Sequence, residues 1–249
     1  QGPVSIAMTG PVPPTASHDL DALVARLRAE AGLDVRRLPD GSAAAITVEF
    51  VPERAFHRTT TDAACFAAPR VGSWSDYRRA GPATLDWTTY QVRERAAIFI
   101  PTGVAPQEVR DCLNEELAQS LGPLNDLYRL PDSVFNDDNV QSILTGFDML
   151  MLRATYAPEL QPGMSRDAVA AALPAVLAHL NPAGQRPGHP MPPTPRTFVD
   201  AIADALGRQA AGGGRLQAAE RALAMADQWQ DHRTGFALVT VGRLRPAGQ

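Results

Sequence analysis

EELAQSLGPLND, residues 115–126, carries the decision about the fold. It closes a longer run, APQEVRDCLNEELAQSLG, with the marks of a helix: Pro106 near the start, acidic residues early, and Gly122 as the stop. Glu115 and Gln119 are four residues apart, so they share one helix face, and Glu116 sits about 100° round from them. Gly122 can adopt a left-handed conformation and let the chain double back, which returns Asn125 and Asp126 towards that face. A cluster of oxygen ligands or hydrogen-bonding groups at Glu115, Glu116, Gln119, Asn125 and Asp126 follows from this spacing.

The flanking sequence extends the pattern. AAITVEFV and ERAAIFIP read as strands, rich in β-branched and aromatic residues, the second ended by Pro101. LTGFDMLMLRATY reads as a helix with Thr145 as N-cap and Asp148 three positions on, a capping box with Asp in place of Glu. SHDLDALVARLRAEAGL has apolar residues at Leu20, Leu23, Val24, Leu27 and Ala31, a helical spacing, with Ser17 as the expected N-cap. The stretch from Pro52 to Thr89 is read as irregular and holds Cys65, Trp74, Tyr77 and Trp87. Trp74, Trp87 and Tyr90 are read as core or cleft wall.

The tail changes character. GMSRDAVAAALPAVLAHL is helical, and NPAGQRPGHPMPPTP is a Pro-rich linker. RTFVDAIADALGRQAA, GRLQAAERALAMADQW and TGFALVTVGRL follow as a helical hairpin plus a third segment. The expected organisation is a flexible N-terminal arm over 1–16, a main domain over 17–160, and a helical C-terminal extension over 161–249 with the linker near 181–195.

Composition excludes some classes. Net charge is -4, with 23 Lys+Arg that are all arginine, so no basic field points to nucleic acid. No apolar run is long enough for a transmembrane segment. The two cysteines, Cys65 and Cys112, fit no metal motif. They are either buried thiols or a disulfide, and a disulfide requires an oxidising compartment. With the start at Gln1, the expectation is an exported, periplasmic protein.

The 115–126 stretch resembles a degenerate metzincin, or matrixin-like, motif, His-Glu-x-x-His-x-x-Gly-x-x-His. Aligned on Gly122, the resemblance places the ligand positions at Glu115, Gln119 and Asn125 and the general base at Glu116. Leu121-Gly122 matches the Leu-Gly of such chains, and SVF at Ser133 to Phe135 matches their Ser-Ile-Met turn with Phe135 in place of Met. Leu144, Thr145, Asp148, Leu152 and Tyr156 match the helix beyond. More closely, CLNEELAQSLGPLNDLYRLPDSVFNDDN and LTGFDMLMLRATYAPEL resemble the DUF2927 family, an uncharacterised bacterial group. The metzincin resemblance covers roughly residues 17–160. It implies an α/β (α+β) zincin-like domain with a small mixed sheet and an active-site-type helix, followed by the helical extension.

The chemistry does not follow the fold. Zinc prefers imidazole or thiolate, and Glu, Gln and Asn occupy the histidine positions. His18, His57, His179, His189 and His232 all lie outside the motif. The expectation is therefore a pseudo-metallopeptidase without a cofactor, working as an exported protein-interaction or assembly module with a protein partner, in a larger envelope complex. Glu115, Glu116, Gln119 and Asn125 then form a polar network paired with Arg110, Arg129 or Arg153, and Phe135 fills the space of the metal. One alternative is an active metal-dependent peptidase with non-standard ligands and Glu116 as base. The other is a calcium-stabilised structural domain, its ion held by Glu115, Glu116, Asp126 or Asn136 to Asp138.

Overall fold

A computed structural model describes residues 3–60, 63–89, 92, 94–124, 130, 133–135, 141–187, 192–207 and 213–245. The chain divides into two units, residues 1–186 and 187–249. The boundary falls inside the Pro-rich stretch, not at residue 160.

The first unit is built on a five-stranded mixed sheet in the order β2-β1-β3-β5-β4. Its strands are β1 (Val4–Thr9), β2 (Val35–Arg37), β3 (Ile46–Val51), β4 (Phe66–Pro69) and β5 (Ala96–Pro101). β1 pairs in parallel with both β2 and β3, β3 in parallel with β5, and β4 antiparallel with β5. The segment expected to be a flexible arm therefore supplies an interior strand. Ile6, Ala7 and Met8 are fully buried, covered on both faces, and so show no apolar–polar alternation.

Helix α1 (Pro14–Glu30) follows. It starts ahead of the expected Ser17 cap, with Pro13 at the N-cap and a proline in the first turn, where the missing N–H costs nothing. Gly10, in the corner between β1 and α1, has φ +82°, and a Cβ there would lie 2.4 Å from the Phe50 carbonyl oxygen. Both the conformation and the contact demand glycine. Gly10→Ala is expected to cost about 2 kcal/mol or more in urea unfolding.

Two cores flank the sheet. Ile46, Val48, Phe50, Ile98 and Ile100 point into the larger one, against Leu20, Leu27, Leu113, Leu117 and Leu152 of the helices. Val51, Ala97 and Phe99, on the alternate positions, join a smaller core with Phe56 and Trp74. The region read as irregular contains α2 (Glu53–His57), β4 and α3 (Trp74–Arg79), drawn together by this second core. Phe66, Trp74, Tyr77 and Phe99 form a ring cluster with centroids 4.9–6.2 Å apart. Helices α4 (Pro106–Leu121), α5 (Gly146–Thr155) and α6 (Arg166–Leu180) complete the unit. α6 belongs here because Val176 packs with Ala154 and Ala157.

The second unit holds α7 (Arg196–Leu206), α8 (Gly213–Ala226) and α9 (His232–Leu244), so the described residues contain nine α-helices in all. Ala205, Ala218, Ala219 and Val241 form its core. Arg233 is buried, stacks 4.0 Å over the Trp229 ring, and pairs through two nitrogens with Asp231. The Arg233 hydrogen bond holds the Asp231 carboxyl below its ordinary value of 3.8. Its folded pKa is depressed, so the pair stabilises fully above that ordinary value and loses its contribution as pH falls through the folded one. Asp231→Asn should flatten this acid limb in a melting-temperature series.

Candidate functional site

Strand β5 runs into α4, the helix that carries the motif. Glu116 is buried, and Glu115 and Gln119 are half-buried. The three side chains thus lie on α4 as their spacing requires, with Glu116 turned inward from the other two. Asn125 and Asp126 lie outside the described residues, as do Tyr90, Arg129 and Asn136 to Asp138.

The two described arginines offered as partners are engaged elsewhere. Arg110 Nε meets Asp19 Oδ1 on α1 at 3.1 Å, and Arg153 Nη2 donates to the Leu180 carbonyl at 2.9 Å. Sequence position carries no information on packing between helices.

Gly122 ends α4 as expected, but with φ 176° it is extended rather than left-handed. A Cβ there would stand 2.6 Å from Thr155 Cγ2 at the end of α5, so a larger residue would have to displace that exposed side chain. Phe135 is buried in the larger core. It follows Ser133 and Val134, also buried, in a short turn.

That turn is held by a carboxylate the sequence assigned only to a helix cap. Thr145 and Asp148 form the expected capping box on α5. Asp148, fully buried, also accepts from Ser133 Oγ at 2.5 Å through Oδ1 and from the Val134 N–H at 3.4 Å through Oδ2. Ser133 Oγ in turn accepts the Phe135 N–H at 3.0 Å. A second link escaped the sequence reading. Asn114 Oδ1, on α4, accepts the Leu144 N–H at 3.4 Å while its Nδ2 donates to the Arg110 carbonyl at 2.9 Å. No motif flags Asn114, and only its place on the inner face of α4 could have drawn notice.

Cys65 and Cys112 are bonded, with Cα atoms 6.0 Å apart. The bridge joins the residue before β4 to α4, one turn ahead of Glu115 and Glu116.

The donor set on α4 does not fit zinc. It offers a carboxylate and an amide where the metal prefers imidazole. Among the described residues no three His, Cys, Asp or Glu side chains are grouped to hold a metal ion.

A family model for a protein of unknown function, DUF2927, matches residues 1–175. The chain belongs to the DUF2927 family. The DUF2927 match takes in the sheet, α4, α5 and most of α6, including the β1 strand that the metzincin resemblance did not cover. The second unit lies outside the DUF2927 match. No curated protein and no solved structure matches the chain. None of the helices among the described residues is long and apolar enough to cross a membrane.

Proposed function

We propose that this protein is a non-catalytic pseudo-metallopeptidase with a zincin-like, metzincin-type domain, exported to the periplasm, where it acts as a protein-interaction or assembly module within a larger envelope complex. The observation that carries the reading is the edge strand β4 tethered beside α4. In the antiparallel register Phe66 faces Phe99 and Ala68 faces Ala97, and the next pair in step, Arg70 and Arg95, is joined by the Arg70 N–H at 2.8 Å. Alternate pairs repeat that geometry, so the backbone groups of Ala67 and Pro69 turn away from β5. Pro69 has no N–H to leave unmet on that outer side. An extended segment of a partner can add there as a further strand.

Three other features support the proposal. The mixed sheet leading into the motif helix agrees with the metzincin resemblance. Glu116 keeps the general-base position, but the ligand positions described lack the imidazoles that would hold a metal to acidify its water. The disulfide favours an oxidising compartment.

A library of extended peptides screened by fluorescence polarisation tests this directly. Binding is expected to survive Glu116→Gln and to fall at least about tenfold in Ala67→Pro, which removes the outward N–H, with the circular dichroism spectrum retained. Hydrolysis of library peptides that is lost in Glu116→Gln would instead establish a peptidase.

A further inference from the structure

A concavity of about 450 Å³ opens in the first unit among the start of β1, the turn between α1 and β2, and the C-terminal ends of α5 and α6. No residue of α4 lines it, so it is separate from the motif helix. Val4, Leu33, Val35, Tyr156 and Val176 give it apolar walls. Its volume lies within the range of small-molecule sites, which need a few placed polar groups to orient a ligand.

Arg153 is such a group. It lines the pocket and is half-buried. Among the described residues its one hydrogen bond is from Nη2 to the Leu180 carbonyl at 2.9 Å, and no carboxylate lies within ion-pair distance. That single bond anchors one end of the guanidinium and leaves the rest of its donor fork open. His179 lies on the same wall. The Asp34 carboxylate also lines the pocket, but it is already covered, by Arg36 at 3.0 Å and Arg28 at 3.8 Å. A half-buried guanidinium with spare donors above apolar walls matches a planar carboxylate with a hydrocarbon body.

Two features limit the ligand's charge. Glu159 lines the pocket, and the C-terminal, negative ends of α5 and α6 face it. Both disfavour a multiply charged anion such as phosphate. We infer that this pocket binds a small monocarboxylic acid with a short apolar chain, gripped by Arg153. The inference is independent of the β4 edge.

Hexanoate is the probe, titrated calorimetrically into the full chain, with hexylamine and inorganic phosphate as controls. Saturable hexanoate binding is expected at millimolar or lower concentration, with neither control competing. Arg153→Met keeps much of the stem and should weaken hexanoate at least about tenfold, as loss of a charge-assisted contact does. Val176→Trp, which fills the cavity, should abolish binding while Arg153 remains. Melting curves confirm that each variant is folded, and the ligand-induced rise in Tm gives a second readout. No hexanoate binding, equal binding of hexylamine, or unchanged affinity in folded Arg153→Met would each overturn the inference.

Discussion

Reduction of the Cys65–Cys112 bond is expected to lower the unfolding free energy of the first unit by about 2–4 kcal/mol. The bridged residues are 47 apart in sequence, and loop-closure entropy for a ring of that size is worth about 4 kcal/mol in the unfolded chain. Residual structure in the unfolded state reduces that figure, hence the range. The bond also ties the residue just before an edge strand of four residues to the motif helix. Among the described residues β4 has a ladder on one side, so its anchorage there rests on β5, the aromatic cluster and this bridge. Urea unfolding with and without reductant reads the loss. The double variant Cys65→Ala with Cys112→Ala should reproduce it, because Cys112 is buried and alanine adds no unmet hydroxyl. Hydrogen exchange should rise in β4 before it rises in β3 or β5. A loss under about 1 kcal/mol would mean that packing alone fixes β4 to α4.

Asp148→Ala is expected to cost about 3–5 kcal/mol. One fully buried carboxylate serves two structures at once. It accepts the Thr145 N–H at 2.7 Å as the return half of the capping box, and it holds Ser133 and Val134 in the turn that buries Phe135. Truncation leaves the buried Val134 N–H and Ser133 hydroxyl without this acceptor and removes the cap acceptor of the half-buried Thr145 N–H, at about 1–3 kcal/mol for each buried group before relaxation. Asp148→Asn keeps the shape but turns one acceptor into a donor facing other donors, so about half the loss is expected. Ser133→Ala removes only the Oδ1 contact and the Phe135 N–H acceptor and should cost about 1–2 kcal/mol. A near-neutral Asp148→Ala in denaturant unfolding would show that the turn and the cap are held by packing.

The elements with strong local signals were legible. Apolar spacing and terminal residues mark α1, α4, α6, α7 and α8, and the Thr145–Asp148 pair marks the start of α5, whereas TGFALVTVGRL, within α9, shows only as a third segment. β3 and β5 showed through their β-branched and aromatic residues. β1 did not, because VSIAMT lies between Gly2-Pro3 and Gly10-Pro11, and its consecutive buried Ile6, Ala7 and Met8 give no alternation. β4 is Phe-Ala-Ala-Pro, four residues whose only strong signal is Phe66, and its place depends on Trp74 and on Phe99 much further along the chain. Side-chain partners were the least legible. Arg110 with Asp19, Asn114 with Leu144, and Asp148 with Ser133 all join separate elements. The positions Glu115, Glu116 and Gln119 could be read because a helix fixes them relative to one another.

The measurement closest to the central claim is zinc content by elemental mass spectrometry, on protein purified without chelator and then dialysed against zinc, with melting curves in the presence and absence of EDTA. The proposed pseudo-metallopeptidase retains well under one zinc per chain and melts at the same temperature in both conditions. One zinc per chain, lost in Glu115→Ala or Gln119→Ala together with an EDTA-sensitive Tm, would contradict it.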